Sequence, residues 1–191
     1  FLIDSNVQLG ASYAQSLRAS ERLAEAHRGV ATLVNASDPD EVVMGPSTTV
    51  LMRTLADSVA RTIVPGDEIV VTDGDHEANI GPWLELEAAG ATVRWWRVDP
   101  ATGELNTADL EKVLGPRTRL VAVTHASNIL GSINPIREIA VRAHEHGAWL
   151  CVDVVGFAPH RAVDVQALGA DFYAFSFYKT FEIGRASCSD S

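Results

Sequence analysis

The sequence predicts an α/β protein built on a largely parallel sheet, and three observations carry that reading. Apolar runs of strand length alternate with stretches of helical period along the chain. The connections between them are a few residues long, as in successive βα units. The run Trp149-Leu150-Cys151-Val152-Asp153-Val154-Val155 is nearly continuously apolar instead of alternating, as in a strand covered on both faces.

Taken in order, Ser12 to Asn35 places Leu17, Leu23, Ala26 and Val30 at helical spacing among charges, which predicts an amphipathic helix with that apolar face. Glu41-Val42-Val43-Met44 is a short apolar run of strand character. Gly45-Pro46-Ser47-Thr48-Thr49 follows, and then a second helical stretch to about Thr62. Pro65-Gly66 punctuates the chain before a strand at Glu68-Ile69-Val70-Val71. A helix around Pro82 to Ala89 stops at Gly90 and leads into a strand over Thr92 to Val98. Thr118 to Val123 reads as another strand. Asn134-Pro135 opens a helix with a side-chain cap and proline at its first position, with Ile136, Ile139, Ala140 and Ala143 as its apolar face and Gly147 as its stop. Asp171 to Ser176 is the last short strand.

At 191 residues and 47% apolar, the chain suits one hydrophobic core and is no disordered tail. Its 15 Lys+Arg against 25 Asp+Glu leave a net charge of −10. That balance argues against a general nucleic-acid binder and against an anionic membrane surface. Cys151 and Cys188 are too few for a disulfide framework and lack zinc-like spacing. No apolar stretch approaches the roughly 18 residues of a membrane span, and Phe1-Leu2-Ile3-Asp4 has no basic leader region. The expected setting is the cytoplasm, with no membrane partner.

Four polar features fall just after strands, where α/β sheets bind ligands. In Gly45-Pro46-Ser47-Thr48-Thr49, small residues and hydroxyls at a helix start suit a phosphate, and equally an ordinary N-cap. Asp73-Gly74-Asp75-His76-Glu77-Ala78-Asn79 carries two carboxylates and an imidazole, readable as a metal site or as a polar loop. In Thr124-His125-Ala126-Ser127-Asn128 the asparagine can serve a ligand or its own turn. His144 and His146, two apart on a helix, suit a solvated surface. Asp153 ends the most apolar run, and Lys179 follows the last strand; the two make either a buried salt bridge or a site. A partly desolvated lysine forms a Schiff base with an aldehyde, and a carboxylate keeps a pyridine nitrogen protonated.

In this order the features resemble the class V aminotransferase family of pyridoxal-phosphate enzymes, and within it the cysteine-desulfurase-like branch. The resemblance runs from about Asn6 to Phe181. It rests on His76-x-Ala78-Asn79-x-x-Pro82-Trp83, Ser127-Asn128-x-x-Gly131, Val163-Asp164-Val165-Gln166 and Ser176-Phe177-Tyr178-Lys179. It implies the large cofactor domain of a fold-type I enzyme over residues 1–181, a three-layer α/β fold with helices on both faces of a mostly parallel sheet. It also implies pyridoxal 5'-phosphate as cofactor, no metal, a small amino acid as substrate acting through a lysine aldimine, and a homodimer at full length.

By position, the resemblance makes Lys179 the Schiff-base lysine and Asp153 the partner of the pyridinium nitrogen. His76 stacks on the ring and assists proton movement. Asn128 reaches the ring hydroxyl. Ser47, Thr48, Thr49 and Ser176 hold the phosphate, and Tyr178 adds a hydroxyl where desulfurases usually have histidine. Gly156 departs from the family, which commonly has Gln or His three residues after the aspartate. Residues 182–191 also depart from it and read as a foreign tail, like a translated adapter oligonucleotide, with the C-terminal small domain absent. Two other readings follow from the residues: a non-catalytic fragment of such an enzyme, and a metal-dependent hydrolase using Asp73, Asp75 and His76.

Overall fold

The computed structural model describes residues 6–180. The expectations for residues 182–191, Cys188 among them, lie outside the described residues. Two compact units divide the chain, one comprising residues up to Met44 with Ala162–Gln166, the other Gly45–Arg161 with the remainder from Ala167.

In the first unit, helix α1 (Ala14–Val34) forms where its period predicts and ends on Asn35 in the left-handed conformation at φ 55°. The Asn35 amide donates to Asp164 Oδ1 at 3.0 Å, and Gln166 Nε2 donates to the Asn35 carbonyl at 2.8 Å. Its covered stripe differs from the expected one. Ser16, Ala19, Ala31 and Val34 are buried, whereas Leu17 and Leu23 are exposed. Helical period establishes the conformation, but not which stripe is covered. The expected strand character of Val42–Met44 is absent too. A 3₁₀ turn, Pro39–Glu41, occupies the start of that segment under an Asp38 capping box, and Val43 is 73% exposed. Apolar side chains alone make no strand without a neighbouring backbone to bond.

The second unit holds a five-stranded parallel sheet in the order β2-β1-β3-β4-β5. Its strands are β1 (Glu68–Thr72), β2 (Thr92–Trp96), β3 (Thr118–Thr124), β4 (Trp149–Asp153) and β5 (Phe172–Ala174). The central strands are buried almost throughout because helices cover both faces. On one face, helix α2 (Thr48–Ala60) and the helical turns of α3 (Gly81–Leu84) and Glu85–Ala89 supply Met52, Ala56, Val59, Trp83 and Leu86. These pack on Ile69, Val71, Leu120, Ala122 and Cys151. The alternate residues Val70, Val121, Val123, Leu150 and Val152 point to the other face. There, after the one-turn helix α4 (Thr107–Leu110), helix α5 (Ile136–Glu145) packs against β4 through Ile136, Ile139, Ala140 and Ala143. A last turn, α6 (Val165–Leu168), precedes β5.

The start of α5 differs from expectation. Asn134 caps nothing with its side chain; its amide donates to the Thr124 carbonyl at 2.7 Å, and Pro135 takes the cap position. A buried carbonyl at the end of β3 needed a donor, and Asn134 supplies it. The glycine stops behave as expected, Gly90 at φ 97° and Gly147 at φ 72°.

The strand order reverses between β1 and β3, and the carboxyl ends of β1, β3 and β4 lie side by side there. Such a reversal leaves a crevice beyond the strand ends.

Candidate functional site

The crevice is a cleft of about 150 Å³ lined by Ser47, Thr48, Thr49, His76, Ala78, Thr124, Ala126, Asn128, Asp153, Val155, Gly156, Ser176 and Lys179. Eight of the nine residues expected at the site line it; Tyr178 does not, and stands 66% exposed after β5. Its hydroxyl follows a turn that carries Lys179 toward the cleft and its own side chain toward solvent.

The start of α2 forms one end of the cleft. Ser47 is the N-cap, accepting from the Val50 N–H at 3.2 Å, so the ordinary capping role is real. It leaves the N–H groups of Thr48 and Thr49 ahead of the first intrahelical bond, the usual anion-binding surface of a helix start. The Thr48 hydroxyl donates to the Phe175 carbonyl at 3.0 Å and so ties this end to the segment after β5.

Asp153 closes β4 and is 4% exposed. Burial pushes its carboxyl up, opposed by the Val155 N–H on Oδ1 at 2.8 Å and by the charge of Lys179. No contact ion pair joins Asp153 to Lys179, so the simple buried salt bridge is not formed. Lys179 ends a 3₁₀ turn, Phe177–Lys179, and is exposed; the expected desolvation is not present because the turn sits on the rim. His76 starts the turn Glu77–Asn79, its Nδ1 accepting from the Ala78 N–H at 3.0 Å, which assigns the ring proton to Nε2.

The expected metal trio is not brought together. Asp73 bonds Arg97 at 3.1 Å and the Val98 N–H at 2.8 Å on the surface. Asp75 turns inward, and His76 faces the cleft. Among the described residues no cluster suits a metal ion. Asp75 is instead the centre of a buried knot. Oδ1 accepts from the Thr72 hydroxyl at 2.7 Å and the Thr124 N–H at 3.0 Å, and Oδ2 accepts from Asn79 Nδ2 at 2.6 Å. Asn79 in turn receives Trp83 Nε1 at 3.4 Å. Much of the His76–Trp83 motif therefore builds the wall that presents His76.

The loop after β3 is pinned by Ser127, whose hydroxyl donates to the Gly74 carbonyl at 2.9 Å and accepts from the Leu130 N–H at 3.2 Å. This leaves Asn128 exposed at the cleft. Gly156 faces the same loop. A Cβ there would stand 2.7 Å from the Ala126 carbonyl oxygen, so the backbone approach demands glycine. The long side chain common at this position has no room beside Ala126. Sequence reasoning missed Ala78, Thr124, Ala126 and Val155 in the lining; none carries a reactive group, and only the fold brings them to the cleft.

Comparison with known proteins gives the lineage of this constellation. The model of the aminotransferase class-V family matches residues 2–182. The chain belongs to the class V aminotransferase family. Members of this family, cysteine desulfurases among them, use pyridoxal phosphate. The aminotransferase-like protein FGM3 of Gibberella zeae is 50% identical over 95% of this chain and 45% of its own length. A cysteine desulfurase of Dickeya dadantii is 45% identical over 87% of this chain and 40% of its own. Among solved structures, the apo cysteine desulfurase of Thermococcus onnurineus superposes with a TM-score of 0.86 at 30% identity, over 94% of this chain and 44% of that one. The chain thus spans less than half the length of these relatives. No helix among the described residues is long and apolar enough to cross a membrane.

Proposed function

We propose that this chain is the cofactor-binding part of a pyridoxal-phosphate enzyme of the cysteine-desulfurase-like kind, acting on a small amino acid. The carrying observation is the convergence on one cleft of an amine, a buried carboxylate, an imidazole and an open helix start. These groups fit the cofactor's chemistry: a donor-rich end for a phosphate, an amine for its aldehyde and a carboxylate for its ring nitrogen. Residues 1–181 form the large cofactor domain in this reading, and the whole protein works as a homodimer.

Ser47, Thr48, Thr49 and Ser176 hold the phosphate, and Asn128 bonds the ring hydroxyl. Burial raises the Asp153 carboxyl, while the Val155 N–H on Oδ1 and the charge of Lys179 favour its ionised form, the form that in this reading pairs with the ring nitrogen. His76 covers the ring face, held in orientation by the Ala78 N–H. Lys179 supplies the amine for attachment and, once displaced by the substrate amine, moves a proton at the substrate α-carbon. When bound, the cofactor supplies an electron sink for the pair left at that carbon. Gly156 makes no side-chain bond to the ring, so Asn128 has that edge alone.

The test is borohydride reduction after incubation with pyridoxal phosphate, followed by peptide mapping. The expected result is a visible absorption band, bleached on reduction, with the label on the peptide containing Lys179. A reducible adduct of unchanged yield in Lys179→Ala overturns the assignment.

A further inference from the structure

Hydroxyls stand together where α2 begins, and their protons are not equally free. Ser47 Oγ accepts the Val50 N–H at 3.2 Å, which uses a lone pair and leaves its own proton unspent. Thr48 Oγ1 is placed differently. It donates to the Phe175 carbonyl at 3.0 Å, and a carbonyl has no hydrogen to offer in return. The single proton of the Thr48 hydroxyl is thereby committed. A phosphate presents acceptor oxygens, so this hydroxyl has no proton left to give it. What Thr48 still offers an anion is its backbone N–H, in the first turn of the helix.

The place of the acceptor in the chain accounts for the bond. β5 pairs with β4 through Phe172, Tyr173 and Ala174, and the ladder stops with Ala174 opposite Asp153. The Ala174 carbonyl still receives the Val154 N–H at 2.8 Å. Phe175 is the first residue past that ladder and is half-buried, so its carbonyl needs a donor from elsewhere. Thr48, 127 positions earlier, supplies it. Next comes Ser176, whose carbonyl takes the Lys179 N–H at 3.1 Å, and then the turn that ends on Lys179. The Thr48 bond therefore fixes the root of the lysine-bearing turn to the start of the helix.

We propose that Thr48 is a positioning residue. Its side chain latches the start of α2 to the segment carrying Lys179 and so sets the span between the anion end of the cleft and the amine, while its N–H alone serves the anion. The latch rests on its own geometry; its purpose rests on the pyridoxal-phosphate reading of the cleft.

The experiment compares Thr48→Val, which loses the hydroxyl and keeps the shape, with Thr48→Ser, which keeps the hydroxyl, and with Ser47→Ala. Three quantities are read: amide hydrogen exchange over residues 175–180 without cofactor, retention of pyridoxine 5'-phosphate by equilibrium dialysis, and the rate of borohydride-trapped labelling of Lys179 by pyridoxal phosphate. Pyridoxine phosphate carries an alcohol in place of the aldehyde, so its retention reads the grip on the phosphate and ring without the amine. Thr48→Val is expected to speed exchange of the Lys179 and Thr180 amides about fivefold, as for the loss of one neutral hydrogen bond. Its retention of pyridoxine phosphate is expected to stay within about twofold of wild type while its labelling slows about tenfold, because a displaced amine reacts poorly. Ser47→Ala is expected to do the converse, weakening retention about tenfold, as for a lost hydrogen bond to a charged group, with exchange over residues 175–180 unchanged. Thr48→Ser is expected to match wild type in all three. Thr48→Val weakening retention as much as Ser47→Ala, or leaving either exchange or labelling at the wild-type rate, overturns the proposal. Should Thr48→Val fail to fold, Thr48→Ala takes its place against Thr48→Ser. Where wild type itself gives no labelled Lys179, the cofactor reading fails and exchange decides the latch: faster exchange in Thr48→Val upholds it and unchanged exchange defeats it. Labelling of wild type with unchanged exchange in Thr48→Val upholds the cofactor reading and defeats the latch.

Discussion

The end of β1 and the end of β5 both deliver residues to the cleft, yet they are built in opposite ways. After β1, Asp75, Asn79, Thr72, Thr124 and Trp83 form a buried polar knot in which the donors have acceptors. After β5, the turn bearing Lys179 is held by the bonds of Lys179 N–H and the Thr180 hydroxyl to the Ser176 carbonyl, at 3.1 and 2.9 Å, and Lys179 is exposed. The comparison teaches that the wall presenting His76 is tied together across three segments, while the hydrogen bonds within the turn bearing the Lys179 amine are local, among the described residues.

The difference is broken first by deleting each side in turn. Asp75→Ala is expected to lower the unfolding free energy by about 3 kcal/mol, because the Thr124 N–H and Asn79 amide lose a buried acceptor. Lys179→Ala is expected to change it by less than about 0.5 kcal/mol, as for an exposed side chain, while abolishing the borohydride label. Denaturant melts of the two variants check this; equal losses would erase the distinction between the two strand ends.

Gly156→Ala comes next, at about 2 kcal/mol, because the new methyl must push the Ala126 carbonyl away. Its unfolding midpoint measures the cost, and an unchanged midpoint shows that the loop yields. The smallest effect is Ser47→Ala, about 1 kcal/mol for a lost helix cap. Weaker retention of pyridoxal phosphate in Ser47→Ala, read by equilibrium dialysis, would show that the cap also faces the cofactor.

The pH dependence sharpens the same contrast. Asp75 holds its proton to about 7 in the folded chain against a reference value of 3.8, so the folded state binds the extra proton between them. Its contribution to stability is therefore full below 3.8 and lost as pH rises through about 7. Unfolding free energies of wild type minus Asp75→Asn are expected to fall across that range. A difference that is flat with pH contradicts the buried, proton-holding carboxyl.

Much of this was legible in the chain before any fold was considered. The strands of the sheet and the long helices lie where apolar period and glycine stops put them, because those signals act over a few residues of backbone. Residue type after strands singled out Ser47, Thr48, Thr49, His76, Asn128, Asp153 and Lys179, all of which line the cleft, since amine, carboxylate, imidazole and hydroxyl chemistry is carried by the side chain itself; Ser176 came only with the family resemblance. Other features depended on neighbours far away in sequence. Asp73 and Asp75 are two residues apart, and only the position of Arg97 and of the β3 end sends one to solvent and the other into a knot. Asn134 looks like a helix cap until the Thr124 carbonyl is beside it. Gly156 looks like a lost contact until the Ala126 carbonyl occupies the space. The sequence by itself determined the local elements and the chemical groups available. The order β2-β1-β3-β4-β5 decided which groups meet, because pairing and burial are settled by non-local packing that no short stretch of chain encodes.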